Sequence, residues 1–168
     1  MTTMTASPVL TTIEQPPMIV RHARVADAAA IAALVSSWSD QGFTLRRSAG
    51  EVLAMIDRFV VVESSGAIIA CACVEECGRQ VGEVRSVAVA ERAKGMGAGK
   101  AVLAGVVKAA DEEGIKELYL LTKIPEWFER GGFRAVAFDD VPAWWMRERV
   151  LNAGRSVEGR SAMCRKVP

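Results

Sequence analysis

Residues 82–113, GEVRSVAVAERAKGMGAGKAVLAGVVKAADEE, decide the fold. Residues 83–89 read as a β-strand. Lys94-Gly95-Met96-Gly97-Ala98-Gly99 follows as a glycine-rich turn. Val102, Leu103, Val106, Val107 and Ala110 then recur at helical spacing, and Gly114 suits a left-handed helix end. Three glycines at alternate positions let the backbone approach a ligand closely. The helix start adds unpaired N–H groups and a partial positive charge, so the unit makes an anion site suited to a phosphate or pyrophosphate. Lys94 and Lys100 add charge beside it. A P-loop binding ATP or GTP is disfavoured, because Ala101 follows Gly99-Lys100 where a Ser or Thr must hold Mg²⁺, and position 94 is Lys rather than Gly. The dinucleotide fingerprint G-x-G-x-x-G also fails: from Gly95 its last position is Lys100, and from Gly97 it is Val102.

Composition narrows the alternatives. The chain of 168 residues reads as one domain, 18–168, behind a mobile leader, 1–17, that is rich in Thr, Ser and Pro. Burial of about two-thirds of the unfolded surface supports a full core at this length. A net charge of +1 argues against a nucleic-acid partner. The cysteines at 71, 73, 77 and 164 form no CxxC pair, and His22 is the sole histidine, so no metal site is expected. Cys71 and Cys73 share one face of a strand and read as buried free thiols. No apolar run reaches the ~20 residues of a membrane span, and no signal peptide is apparent, so cytoplasmic residence is expected.

The remaining chain reads as mixed α/β. Strands are expected at 18–25, 59–63, 67–74, 118–122, 133–138 and 161–166. Helices are expected after Asp27 as N-cap, after Ser48 in a capping box with Glu51, at 126–130, and at 142–151. The order of the 118–122 strand after a helix makes it a parallel neighbour of the central strand.

The turn resembles that of the Gcn5-related N-acetyltransferases, whose pattern is Arg/Gln-x-x-Gly-x-Gly/Ala, with Lys94 in the first position here. The resemblance implies a GNAT fold: a mixed, mostly antiparallel sheet with a splayed central strand, flanked by helices. It implies acetyl-CoA as co-substrate. Its pyrophosphate would lie on Lys94, Gly95, Met96, Gly97, Ala98, Gly99 and Lys100. Its pantetheine arm would pair with the bulged strand at Val87, Ala88 and Val89, whose N–H groups would also stabilise the oxyanion.

The segments Leu45-Arg46-Arg47-Ser48, 56–59, 82–89, Leu120-Leu121-Thr122 and Trp127-Phe128 look like the acetyltransferase domain of bacterial N-acetylglutamate synthases, of the short stand-alone type. That subgroup implies L-glutamate as acceptor, arginine biosynthesis as the setting, and no arginine-feedback domain. Many family members place a proton-donating Tyr where this chain has Phe128. Tyr119 sits in an apolar run and reads as structural.

Acetyl transfer needs a neutral amine and therefore a base. Glu83 is the candidate, against a simpler reading as an ion-paired strand carboxylate. Arg85 shares its face, either for a substrate carboxylate or to pair with Glu83. Arg46 and Arg47 are candidate carboxylate forks, against a solvated surface pair. Lys123 and the Arg160-Ser161 segment complete the substrate set. Ser48 is explained by its capping box, and Trp127-Phe128 by core packing. Rival readings are acetylation of another small-molecule amine or a protein N-terminus, and a non-catalytic acyl-CoA-binding regulatory module. A homodimer stays open.

Overall fold

A computed structural model describes residues 14–168. Most of the expected leader, residues 1–13, lies outside them; residues 14–17 carry no helix or strand and are exposed. Seven strands form one sheet: β1 (Met18–His22), β2 (Phe59–Ser64), β3 (Ala67–Glu76), β4 (Val81–Val89), β5 (Glu117–Thr122), β6 (Arg134–Val136) and β7 (Ser161–Lys166). Their spatial order is β1-β2-β3-β4-β5-β7-β6. Only β4 and β5 are parallel, joined by helix α3 (Ala98–Glu112); the other pairs are antiparallel. This is the mixed, mostly antiparallel sheet expected.

The parallel pair is short. β4 meets β5 only at Val81, Gly82 and Glu83, opposite Glu117, Leu118 and Tyr119. Beyond that point the two strands part and leave a wedge. A β-bulge on β4 drives the separation: Cys73 pairs with Arg85 but Cys71 pairs with Ala88, so β4 carries one extra residue. Ser86 absorbs it at φ +52°. The sequence offers no marker of a bulge there, since the backbone takes a left-handed turn at a residue other than glycine.

Helices cover both faces of the sheet. Valines at 60, 62, 74 and 84 pack on Val102, Leu103 and Val106 of α3. The opposite face takes α1 (Ala28–Ser39) and α2 (Ala49–Ala54), with Ile31, Val35 and Val52 against Phe59, Val61, Cys71 and Cys73. Each fully buried Val, Ile or Leu contributes roughly 1.5–3 kcal/mol relative to exposure. Burial pushes the Cys71 and Cys73 thiols up to about 12, which keeps them protonated and unreactive.

Local chemistry sets several boundaries. The Ser48–Glu51 box forms in both directions, at 3.2 and 2.7 Å. Asp27 occupies the N-cap position of α1, yet its carboxylate accepts from the Arg24 N–H and the Arg21 guanidinium instead of the helix. The first strand therefore stops at His22 rather than Val25, where a short 3₁₀ turn (Val25–Asp27) begins. The 133–138 strand shrinks to β6, because Phe133 turns inward against Phe128 of α4 (Pro125–Glu129). The 142–151 helix is α-helical only as α5 (Ala143–Trp145) and continues as a π-helix, Met146–Leu151. The wider turn buries Trp145 and Val150, five residues apart, in one cluster with Tyr119.

Candidate active site

The wedge between β4 and β5 opens into a cavity of about 820 Å³. One end is made of backbone. β4 ends at Val89, a 3₁₀ turn (Glu91–Ala93) reverses the chain, and Gly95 and Gly97 follow at φ +78° and +86°. A Cβ on Gly95 would point into open space. Gly97 is the N-cap of α3, so the first-turn N–H groups face the cavity with no preceding carbonyls to satisfy them. Gly99 is required for another reason: a Cβ there would lie 2.5 Å from Cζ2 of Trp127. Trp127 packs edge-to-face on Phe128, with ring centroids 4.9 Å apart, and itself lines the cavity.

Two side chains edge this end. Lys94 pairs with Glu91 at 2.7 Å and lies 5.3 Å over the Trp38 ring. The Trp38 indole donates to the Val89 carbonyl at 2.8 Å, tying α1 to the end of β4. Lys100 lines the cavity and makes no ion pair among the described residues.

The other end is made of arginines. Arg47, Arg85, Arg155 and Arg160 all line it. Arg47 Nε donates to Ser86 Oγ at 2.8 Å, and its Nη1 lies 3.5 Å from Met55 Sδ. Burial, then the charge of Arg85, pushes its pKa down. Arg160 is pushed down by burial and by Arg155. Neither Arg47 nor Arg160 reaches a carboxylate among the described residues, so both cations are partly desolvated and unpaired.

Behind this wall lie Glu75 and Glu83. Arg149 holds Glu75 at 2.7 Å, Arg58 at 3.1 Å and Arg85 at 3.4 Å. Burial pushes Glu75 up, but these cations outweigh it and its carboxyl ends below the usual range. Glu83 is 0 % exposed. Arg155 Nη1 lies 2.6 Å from its Oε1, Arg149 Nε 3.7 Å from Oε2, and Arg85 Nε 3.9 Å from Oε1.

The structure gathers Val87, Ala88, Val89, Lys94, Gly95, Gly97, Ala98, Gly99, Lys100, Arg47, Arg85 and Arg160 on one cavity. It does not bring the other candidates to the wall. Glu83 lies beneath the arginines. Met96 turns its side chain to the core under α3. The Arg46 side chain, 65 % exposed, pairs with Asp40. Lys123 is exposed, with Nζ near Gly42. Ser161 opens β7 opposite Thr122. Arg155 and Arg149 went unnoticed in the sequence. The signal for Arg155 was its Arg-Ser dipeptide, which repeats at 160–161; Arg149 carried no signal, because the π-helix that aims it leaves no local pattern. Tyr119 faces Trp145 on the far side of β5 and hydrogen-bonds Glu117 at 3.0 Å, so it is structural.

The sequence profile of the acetyltransferase (GNAT) family matches residues 24–133. The chain belongs to that family. Its co-substrate is acetyl-CoA, and it is an acetyl-CoA-dependent N-acetyltransferase. The glycine cradle fits such a ligand, since Gly95 and Gly97 line the cavity and the first turn of α3 offers unpaired N–H groups to an anion.

Among relatives, an uncharacterized N-acetyltransferase of Chlorobaculum tepidum is 30% identical over 123 residues, 73% of this chain and 79% of that one. An amino-acid acetyltransferase of Pseudomonas fluorescens is 32% identical over 127 residues, 74% of this chain but only 29% of its own. The acetyltransferase matched here is thus under a third of that longer protein. Among solved structures, N-acetylglutamate synthase from Neisseria gonorrhoeae, complexed with coenzyme A and N-acetyl-glutamate, aligns over 92% of this chain and 36% of its own. Its TM-score is 0.79 at 27% identity. A Mycobacterium tuberculosis protein in complex with coenzyme A aligns over 89% of this chain and 99% of its own, with TM-score 0.78 at 25% identity.

Among the described residues, no helix is long and apolar enough to cross a membrane, and no group of three or more His, Cys, Asp or Glu is arranged to hold a metal ion.

Proposed function

We propose that this GNAT protein acetylates the α-amine of L-glutamate, with residues 18–168 as one catalytic domain and cytoplasmic arginine biosynthesis as its setting. The observation that carries the proposal is the pair Arg47 and Arg160: two half-buried guanidiniums on the cavity wall, each without a carboxylate partner among the described residues. Glutamate brings two carboxylates. Charge-assisted hydrogen bonds to them would offset the desolvation of both cations. The relatives named amino-acid acetyltransferase, and the neighbour that binds N-acetyl-glutamate, support the same acceptor class.

The reaction breaks the thioester C–S bond of acetyl-CoA, forms the amide C–N bond, and sends the surplus amine proton to a base. The chain's own groups divide the work. The glycine turn and the start of α3 bind the pyrophosphate. The edge of β4 facing the wedge has no strand partner beyond Glu83, leaving backbone groups for the pantetheine arm and the oxyanion. Glu83 takes the amine proton. Phe128 cannot protonate a leaving thiolate, but a thiol with pKa near ~8.5 leaves readily without a phenol to assist it.

Thiol release from acetyl-CoA tests the acceptor. With glutamate, aspartate, glutamine and spermidine supplied separately, glutamate should turn over fastest and spermidine not at all, because four arginines line the acceptor end. Coenzyme A binding without turnover on any of these amines would refute the glutamate assignment.

A further inference from the structure

Both Glu83 carboxylate oxygens are buried without a hydrogen-bond partner. The 2.6 Å approach of Arg155 Nη1 is therefore a close charge contact whose N–H groups miss the oxygen. Of the three guanidiniums around Glu83, Arg149 and Arg85 each lie closer to Glu75. Arg155 alone among them has Glu83 as its nearest carboxylate. Arg155 also lines the cavity, whereas Glu83 does not. Its segment between the π-helix and β7 has no regular structure and is bracketed by Gly154 and Gly159, at φ +68° and +66°. Two hydrogen bonds hold Arg155 to the fold, from its N–H to Val150 O and from Nη1 to Arg149 O, each 3.0 Å.

We infer that Arg155 is a carboxylate-operated cover over Glu83. The inference rests on Glu83 being the base of the reaction proposed above. Without an acceptor, the guanidinium sits between Glu83 and the cavity. An entering carboxylate offers Arg155 an aligned, two-pronged partner, which Glu83 does not. Arg155 moves to that carboxylate, and Glu83 opens to the ammonium of the same molecule. The ammonium gives one proton to Glu83, the freed amine attacks the thioester carbonyl, and the C–S bond breaks as the second nitrogen proton leaves with the sulfur as coenzyme A thiol. An amine without a carboxylate leaves the cover in place. Arg155 is thus a specificity-determining residue: acidic acceptors uncover the base that other amines cannot reach. The ligand shifts the equilibrium only through its better contact with the uncovered state.

Competition between Glu83 and the ligand for Arg155 can be measured without any turnover. Glutarate supplies two carboxylates and no amine. It is titrated calorimetrically into the full chain with coenzyme A present, as wild type, Glu83→Gln, Arg155→Ala and the double variant. Glu83→Gln should tighten glutarate binding about tenfold when Arg155 is present and by less than about twofold when it is absent. Equal tightening in both backgrounds, the signature of a general charge effect, would overturn the inference, as would no tightening. Coenzyme A affinity and thermal melting report whether each variant folds, and Arg155→Gln replaces Arg155→Ala if the latter does not. Thiol release with glutamate on the same wild-type preparation separates the two claims. Turnover without coupling overturns the cover alone; coupling without turnover supports the competition and refutes the acceptor assignment.

Discussion

The two ends of the cavity are built from different material. The donor end is backbone: two glycines with positive φ, the open edge of β4 and the first turn of α3. The acceptor end is side chain: Arg47 from the loop before α2, Arg85 from β4, and Arg155 and Arg160 from the segment before β7. Backbone groups are positioned by the fold itself and suit a constant feature, the pyrophosphate in the function proposed above. Side chains from separate segments are replaceable one at a time, and in the same proposal they set what is acetylated. The difference yields separable predictions.

The largest effect is expected at Glu83, which lies beneath the arginines of the acceptor end. Glu83→Gln keeps the shape and removes the base, so kcat with glutamate should fall roughly 10²–10⁴-fold while coenzyme A affinity holds. Steady-state thiol release and a coenzyme titration check both halves. Next comes the donor end. Gly99→Val drives a side chain into Trp127, at a cost of about 2 kcal/mol, and coenzyme A affinity should drop on the order of thirtyfold. Unchanged affinity would mean that Trp127 moves aside and that Gly99 is not needed.

The acceptor end is expected to answer more modestly. Arg47→Ala removes one charge-assisted partner, and kcat/KM for glutamate should fall roughly tenfold or more through KM. Arg46→Ala should change it by less than about twofold, because that side chain pairs with Asp40 away from the cavity. The contrast between neighbouring arginines sharpens the comparison, since sequence alone treats them alike.

The smallest effect lies outside both ends. The β3–β4 turn holds Arg79 and Gln80 at φ +55° and +60°. Gln80→Gly should relieve about 1 kcal/mol of backbone strain and raise the melting temperature by about 2–4 °C, with neither ligand affected.

The same contrast explains what the sequence disclosed. The donor end was legible because strand, turn and helix are contiguous, and each glycine spacing has a local physical cause. The capping box at Ser48 and the buried pair Cys71 and Cys73 were legible for the same reason. The acceptor end depends on tertiary placement. Nothing in Leu45-Arg46-Arg47-Ser48 tells which arginine turns inward; the Ser86 hydroxyl, presented by a bulge on β4, decides it. Glu83 is a candidate from its strand position and the family resemblance, but the arginine against it, Arg155, comes from the segment before β7. The π-helix that aims Arg149 at Glu75 has a period that an α-helical reading of 142–151 does not contain.

Donor and acceptor ends should therefore bind their ligands independently. The most direct test is calorimetric titration of coenzyme A, then of N-acetylglutamate, into wild type and an Arg47→Ala/Arg160→Ala double variant. The expected result is coenzyme A affinity within about twofold of wild type and N-acetylglutamate binding weakened by about a hundredfold. Loss of both together, or of neither, would contradict the account.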